Sequence, residues 1–424
     1  MTPTALPRGP ETGGRPDHAV VVTGLGTTNP LGGDVASTWA ALRASQCAVR
    51  RFDASPTLDP QLPVRLAAPL SVEPTPLLTP RERRRLDRAS QCALLASREA
   101  WERAGSPEVD SERLAVSLSP GMGPVRSVME AWDTAREHGP RRVPPTAIPA
   151  LMPNAPAAAI GIELGARGGV HSPVAACASG AEAIAYGADL IALGRADIVV
   201  AGGTDAALHP MAVAAFASMR ALSRRNDDPS TASRPFAPDR DGFVLGEGAG
   251  VLVLESAAHA KARGARVLAV LAGAAVTADA FDTARPEPGG AQQERALHLA
   301  LERSGIPSGR VGHVNAHATS TPVGDRVEAE VLARTMPGAA VSATKSLTGH
   351  LLGGAGGLEA VLTVMALNEE WLPPTLLPGG IDPEISRLGL DIVGPYGRRA
   401  PGLTTAVSTS FGFGGHNVVL VLSR

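Results

Sequence analysis

Apolar residues fall in dense runs along this chain rather than at every second position. Eight such runs stand out: HAVVVTGLG from His18, RLAVSLS from Arg113, DIVVAGG from Asp197, AGVLVLES from Ala249, VLAVLAGAAV from Val267, HVNAHA from His313, AVSATKS from Ala340 and NVVLVLS from Asn417. Continuous apolar runs bounded by Gly, Ser and Asp read as strands buried on both faces. Helical patterns lie between them, which predicts an α/β fold. The clearest helix is Thr79–Ala104, where Thr79 and Glu82 form a capping box, Pro80 suits the first helical position and Gly105 can close the end. The stretch SPVAACASGAEAIAYGADLIALG, Ser172–Gly194, predicts a strand ending at Cys177 and a small-residue helix beginning there.

The pattern also repeats. GEGAGVLVLES (Gly246–Ser256) is echoed by GFGGHNVVLVLS (Gly412–Ser423), each a glycine turn running into a buried strand. CASGAEAIAYGADLIALG is echoed by GAGGLEAVLTVMALNE (Gly354–Glu369), each a helix with small residues near its start. Chance likeness of apolar runs is one explanation. The other is a duplicated α/β unit, with halves 18–265 and 266–424 and the two small-residue helices packed at the centre. Residues 1–17 lack apolar periodicity and are expected to be a disordered tail.

Composition narrows the class. The 424 residues carry a net charge of −2, which argues against a general affinity for nucleic acid or an anionic membrane. Three scattered cysteines exclude a disulfide framework and a four-cysteine zinc site. No secretory leader opens the chain and no apolar run approaches the ~18 residues of a membrane span, so a cytoplasmic location is expected.

Candidate chemistry centres on Cys177. A sulfur at a helix N-terminus meets unpaired N–H groups and the positive end of the macrodipole, which favour the thiolate. A buried structural cysteine fits the position equally well. His317, in VNAHATSTPVGD, and His350, in SATKSLTGHLLGGAGG, both follow predicted strands of the second half in Thr/Ser/Gly-rich turns. Under the duplication they face Cys177. Lys345 and Glu359 flank His350, and Lys345 could equally be a surface residue.

Together, ACASGAEAI, HATSTPVGD, TKSLTGHLLGGAGGLEA and SFGFGGHN, in this order, resemble the β-ketoacyl-acyl carrier protein synthases, closest to the elongating type II kind. The resemblance extends over VVVTGLGTTNPLGG and SRPFAPDRDGFVLGEGAGVLVLES to the last strand. It implies the thiolase fold, two similar halves in αβαβα layers. It also implies that Cys177 takes the acyl chain as a thioester, while His317 and His350 promote decarboxylation of a malonyl unit and stabilise the enolate. Lys345 with Glu359 would be a supporting charge pair. Backbone N–H groups of Cys177 and Phe413 would form the oxyanion hole, and Phe413 would gate the acyl pocket. Thr319 and Thr321 would bind the phosphopantetheine arm, with Phe411 and Asp279 also on the substrate. Arg81, Arg84, Arg141, Arg142 and Arg220 would dock an acidic acyl carrier protein. Asn315, Glu359, Ser408 and Asn417 match a structural monovalent-cation site of relatives. No cofactor is implied beyond the carrier's phosphopantetheine, and the partner is a second copy or a homologous chain-length factor.

This chain departs from the family pattern at Ala318, where glycine is usual, at Asp282, where histidine is usual, and at His416, where threonine is frequent. These bear on gating, chain length and pathway (fatty acid or polyketide), not on reaction type. Rival classes fit less well. GLGTTNPLGG has Asn29 where a dinucleotide-binding loop needs its last glycine. A G-x-S-x-G nucleophile elbow is not found on a strand–helix turn. A non-catalytic chain-length factor would lack Cys177, and a thiolase would not carry the two histidines in these motifs.

Overall fold

The computed structural model describes residues 19–52 and 62–424. The expected N-terminal tail lies outside the described residues. All eight predicted runs form strands, joined by three shorter or more polar ones. In chain order these are β1 (Val20–Thr28), β2 (Leu114–Ser119), β3 (Val170–His171), β4 (Ile198–Asp205), β5 (Gly248–Ser256), β6 (Ala269–Ala278), β7 (His313–Asn315), β8 (Ala340–Ser342), β9 (Asp391–Ile392), β10 (Thr405–Gly412) and β11 (His416–Ser423). They lie in the order β9-β8-β7-β10-β11-β6-β1-β5-β4-β2-β3.

That order is a duplication. Strands β1-β5-β4-β2-β3 and β6-β11-β10-β7-β8 follow the same path, with the antiparallel pairs at the inner end and the parallel pairs at the outer end. β9 extends the second half, and the halves meet where Val21 pairs Val270 and Val22 pairs Ala269. The longer helices, of 14 residues or more, are α1 (Arg88–Arg103), α2 (Val125–His138), α3 (Ser179–Ala192), α4 (Ala291–Ser304), α5 (Pro322–Thr335) and α6 (Gly353–Glu369). α1 packs outside β1 and β5; α4 packs outside β6 and β11, with α5 against α4. The two small-residue helices α3 and α6 lie against each other in the middle and touch strands of both halves.

Two expectations are corrected. Thr79–Ala104 is not one helix. The capping box on Thr79 starts a short helix, Pro80–Arg85, which stops at the extended Leu86, and Asp87 caps α1 anew by accepting N–H bonds from Ala89 and Ser90. The polar Asp87 outcompetes the continuing pattern because its carboxylate satisfies N–H groups that an uninterrupted helix would not have exposed. SPVAA is not a strand either. The paired residues are Val170 and His171, and the chain then runs without ladder bonds into a tight turn, Ala176–Ala178, ahead of α3.

The centre is held by backbone contact. A Cβ on Gly180 of α3 would lie 2.7 Å from both Gly353 O and Gly357 N of α6. On Gly203 of β4 it would lie 2.1 Å from Gly353 O, and on Gly250 of β5 2.1 Å from Leu358 N. No side chain fits at these crossings. Gly250→Ala is therefore expected to destabilise the protein by about 3 kcal/mol, the upper end of overpacking costs, because rigid backbone must yield. Chemical denaturation against a surface control such as Gly309→Ala, where nothing lies within 4 Å, checks this.

Candidate active site

Cys177 sits in the turn before α3, with Ala176 ahead of it in the left-handed region at φ 50°. Alanine pays strain there, which keeps the turn tight and presents the half-buried thiol to a cavity of ≈ 330 Å³. Gly412, at the end of β10, presses on this turn: a Cβ there would lie 2.6 Å from Ala175 O and 3.2 Å from Cys177 N. The next residue, Phe413, lines the same cavity, and its backbone N–H acts on the Cys177 sulfur to favour the thiolate. Cys177's own N–H acts in the same direction.

His317 and His350 wall the same cavity, with ring centroids 5.5 Å apart and ring planes at 85°. Phe411 stands edge-on to His317 at 6.0 Å, and Phe243 to His350 at 5.3 Å. The backbone fixes both histidines. His317 N–H donates to Glu328 at 2.8 Å and to Thr409 Oγ1 at 3.0 Å. His350 N–H donates to Val244 O at 2.8 Å, and its carbonyl accepts from Gly246 N at 2.9 Å. Burial, then the Lys345 ammonium, push both imidazole pKa values well below the ordinary one, so both rings are neutral. Neutral imidazole N–H is a donor that can steady a developing oxyanion without carrying charge of its own.

Lys345 is 1% exposed and pairs with the equally buried Glu359. The surface alternative for Lys345 is thereby removed. Burial raises the Glu359 carboxyl to about 7, against the pull of Lys345. For Cys177 the helix-terminus expectation is corrected: burial outweighs the two N–H groups and Lys345, and the thiol is raised to about 11. Cys177 therefore rests as a thiol.

The other expected residues divide. Thr319 and Thr321 line the cavity with their hydroxyls 3.2 Å apart, beside Ala318 and Phe411. Asp279 lines it too, accepting from Asn417 Nδ2 at 2.6 Å and Glu287 N at 3.1 Å. Arg220 is exposed at the cavity wall. Arg81, Arg84, Arg141 and Arg142 are exposed but do not line it. Thr146 Oγ1 donates to Arg84 O at 3.5 Å, which places the 80–85 helix beside the 140–147 segment. Of the four cation residues, three come together. Asn315 and Ser408 are paired across β7 and β10, and Asn315 Nδ2 donates to Glu359 O at 3.4 Å. Ser408 Oγ and Glu359 Oε2 are buried with no hydrogen-bond partner, which fits a small cation. Asn417 is not among them. Its strand partner is Phe411, three positions or ~10 Å from Ser408, and its amide is committed to Asp279. Among the described residues no group of three or more His, Cys, Asp and Glu could hold a metal ion.

At the departures, Asp282 caps its own turn through Ala284 N and Arg285 N and pairs with Arg285. Those two backbone bonds hold its carboxyl down at about 2. His416 Nδ1 stands 4.0 Å from Glu182 of α3.

Three buried acids escaped the sequence analysis. Glu328 holds the His317 turn, and Asp325 accepts from Ser320 N and Thr321 N at 3.1 and 3.3 Å. Both lie on the inner face of α5, three residues apart in GDRVEAE, which was the available signal. Asp205, at the end of β4, carried none beyond its place after a strand.

A cysteine and two neutral histidines around one cavity, in a duplicated α/β fold of this order, define a condensing enzyme of the thiolase fold that transfers acyl groups. The family described as beta-ketoacyl synthase matches twice, its N-terminal domain over residues 17–260 and its C-terminal domain over 268–377. The chain is 43% identical to a 3-oxoacyl-[acyl-carrier-protein] synthase 2 of Mycobacterium tuberculosis, over 96% of this chain and 97% of that one. It superposes with a TM-score of 0.87 and 27% identity on a type II polyketide synthase complex of ketosynthase, acyl-carrier protein and bound hexaketide, covering 96% of this chain and 99% of that one. The ishigamide ketosynthase/chain length factor gives 0.86 and 29%, with the same coverage. The chain belongs to the beta-ketoacyl synthase family.

Because the thiol is raised, alkylation of Cys177 by iodoacetamide is expected to accelerate about tenfold per pH unit from pH 7 to 9.5 without a plateau. Peptide mass spectrometry follows it. A plateau by pH 8.5 would mean that the helix terminus, not burial, sets the thiol.

Proposed function

We propose that this protein is a 3-oxoacyl-[acyl-carrier-protein] synthase that joins a Cys177-bound acyl chain to malonyl-carrier protein by decarboxylative Claisen condensation. The observation that carries it is the convergence of the Cys177 thiol, the Phe413 N–H, His317 and His350 on one cavity. In the first half-reaction Cys177 sulfur bonds to the acyl carbon and the carrier's sulfur leaves as a thiol, taking the proton that Cys177 gives up. In the second, the malonyl C–C bond breaks, CO₂ leaves, and its electron pair enters an enolate whose oxygen accepts from the two imidazoles. The enolate carbon attacks the Cys177 thioester, the N–H groups of Cys177 and Phe413 hold the tetrahedral oxyanion, and the expelled sulfur regains a proton from water.

Thr319 and Thr321 are assigned to the phosphopantetheine arm, Phe411 and Asp279 to the substrate, Lys345–Glu359 to charge support, and Phe413 to the gate. The gate assignment is supported by the glycines after Phe413, with φ of 85° at Gly414 and 76° at Gly415, and by bonds tying them to Thr283 and Asp279. Asn315, Ser408 and Glu359 are assigned a structural monovalent cation. No cofactor enters any step. The protein partners are an acyl carrier protein, docking on the five arginines, and a second copy or a homologous chain-length factor. The β3 edge, α2 with no buried residue, and the exposed Trp132 (63%) and Ile148 (69%) support such an associated chain. The likeness to ketosynthases solved with carrier protein and with a chain-length factor supports the polyketide alternative beside fatty acid synthesis. Among the described residues no helix is long and apolar enough to cross a membrane.

Cys177→Ala is expected to abolish condensation, because Cys92 is sealed in the core and Cys47 lies away from the cavity, donating to Ser346 O. His317→Ala and His350→Ala are expected to lose about two to three orders of magnitude in malonyl decarboxylation while Cys177 still acylates. Mass spectrometry of carrier-bound products, with and without a co-expressed homologue, measures both reaction and pathway; CO₂ release at the wild-type rate in both histidine variants would remove their assignment.

Reversing Arg81 and Arg84, or Arg141 and Arg142, to glutamate is expected to raise KM for carrier-linked substrate and not for a small pantetheine thioester. Surface attraction is screened over about 8 Å at physiological salt, so added salt acts in the same direction. Salt-independent kinetics with carrier protein would return these arginines to plain solvation.

A further inference from the structure

The strand β4 ends on Asp205, which is fully buried and which none of the steps above uses. Its Oδ2 accepts Gly121 N–H at 2.8 Å and Gly353 N–H at 2.8 Å, and Met122 N–H lies at 3.3 Å from both oxygens. These donors belong to two different turns, and a third turn touches them. A Cβ on Gly353 would lie 2.1 Å from Gly121 N, and one on Gly121 would lie 2.6 Å from the Ala176 carbonyl. Ala176 precedes Cys177 and Gly353 follows His350 by three residues. Both turns hold a non-glycine residue at positive φ, Ala176 at 50° and Leu352 at 50°. Strained backbone of this kind persists only where its surroundings over-determine it.

We propose that Asp205 is the positioning residue that fixes the Cys177 turn against the His350 turn, through one carboxylate oxygen shared between the 121–122 turn and the start of α6. The carboxylate also caps the positive end of that helix. Burial raises it to about 7, so above neutral pH it is the negative charge acting on the Cys177 sulfur, opposed by Lys345. The neutral His317 and His350 face the thiol as well, and Arg220, Asp279, Arg285, Asp325 and Glu328 line the rest of the cavity. Asp205 thus sets geometry at the expense of thiolate, and the two effects separate on mutation.

The inference rests on the roles assigned to Cys177 and His350, and the test reads it apart from them. In Asp205→Ala the shared carboxylate oxygen is gone, so the turns lose their common acceptor. Condensation kcat is expected to fall about 100-fold, the cost of a misplacement of ~1 Å, with KM for carrier-linked substrate unchanged. Alkylation of Cys177 at pH 8 is expected to become about threefold faster, since removing a negative charge lowers the thiol pKa by about half a unit. Asp205→Glu keeps a carboxylate and is expected to recover about tenfold of the lost kcat; where the Ala variant does not fold, it decides alone. Wild-type kcat in D205A, loss of kcat accompanied by slower alkylation, or a folded but inactive D205E would each overturn the role. An inactive C177A tests the Cys177 assignment independently of all three.

Discussion

Everything in this protein hangs on the close approach of backbone to backbone at its centre. α3 and α6 cross against β4 and β5 at distances where a single methyl group would collide with main-chain atoms, as at Gly180, Gly203, Gly250 and Gly357. The glycines weaken both helices as isolated segments. In return the helices come near enough for the start of α6 to touch the Cys177 turn and to stand over β4 and β5. Cys177 comes from the first half and both histidines from the second, so the cavity exists only because these two helices meet without side chains between them.

Burial then governs the chemistry more than charge does. The same exclusion of water holds two imidazoles neutral, raises a thiol that a helix terminus would otherwise acidify, and raises the Glu359, Asp205 and Asp325 carboxyls to about 7. The buried acids are tolerated because each has backbone N–H groups or a cation to accept from. Glu328 and Asp325 hold the 317–321 turn in this way, and Glu359 holds Lys345. A set of neutral donors around a protonated thiol suits a reaction in which charge appears only as bonds break.

Much of this was legible in the chain itself. Strand positions followed from dense apolar runs, because a strand covered on both faces has no polar side to show. The exceptions have physical reasons: β10 reads TAVSTSFG, whose Thr409 hydroxyl bonds Glu328 and Asn315 O and whose buried serines interrupt the apolar run, and β3 and β9 have two residues each. The cysteine and the histidines were visible because small residues crowd around reactive groups, and the duplication was visible in paired glycine-to-strand motifs. Tertiary structure decided what no linear pattern encodes. Asp87 broke a helix that periodicity ran through, because its carboxylate found two N–H groups to accept. Asn417 turned to Asp279 and away from Asn315, since strand pairing set it opposite Phe411. The sequence determined which residues could do chemistry; only the fold determined the thiol's ionisation and the anchoring acid Asp205, because both depend on which atoms from distant segments displace water around a buried group.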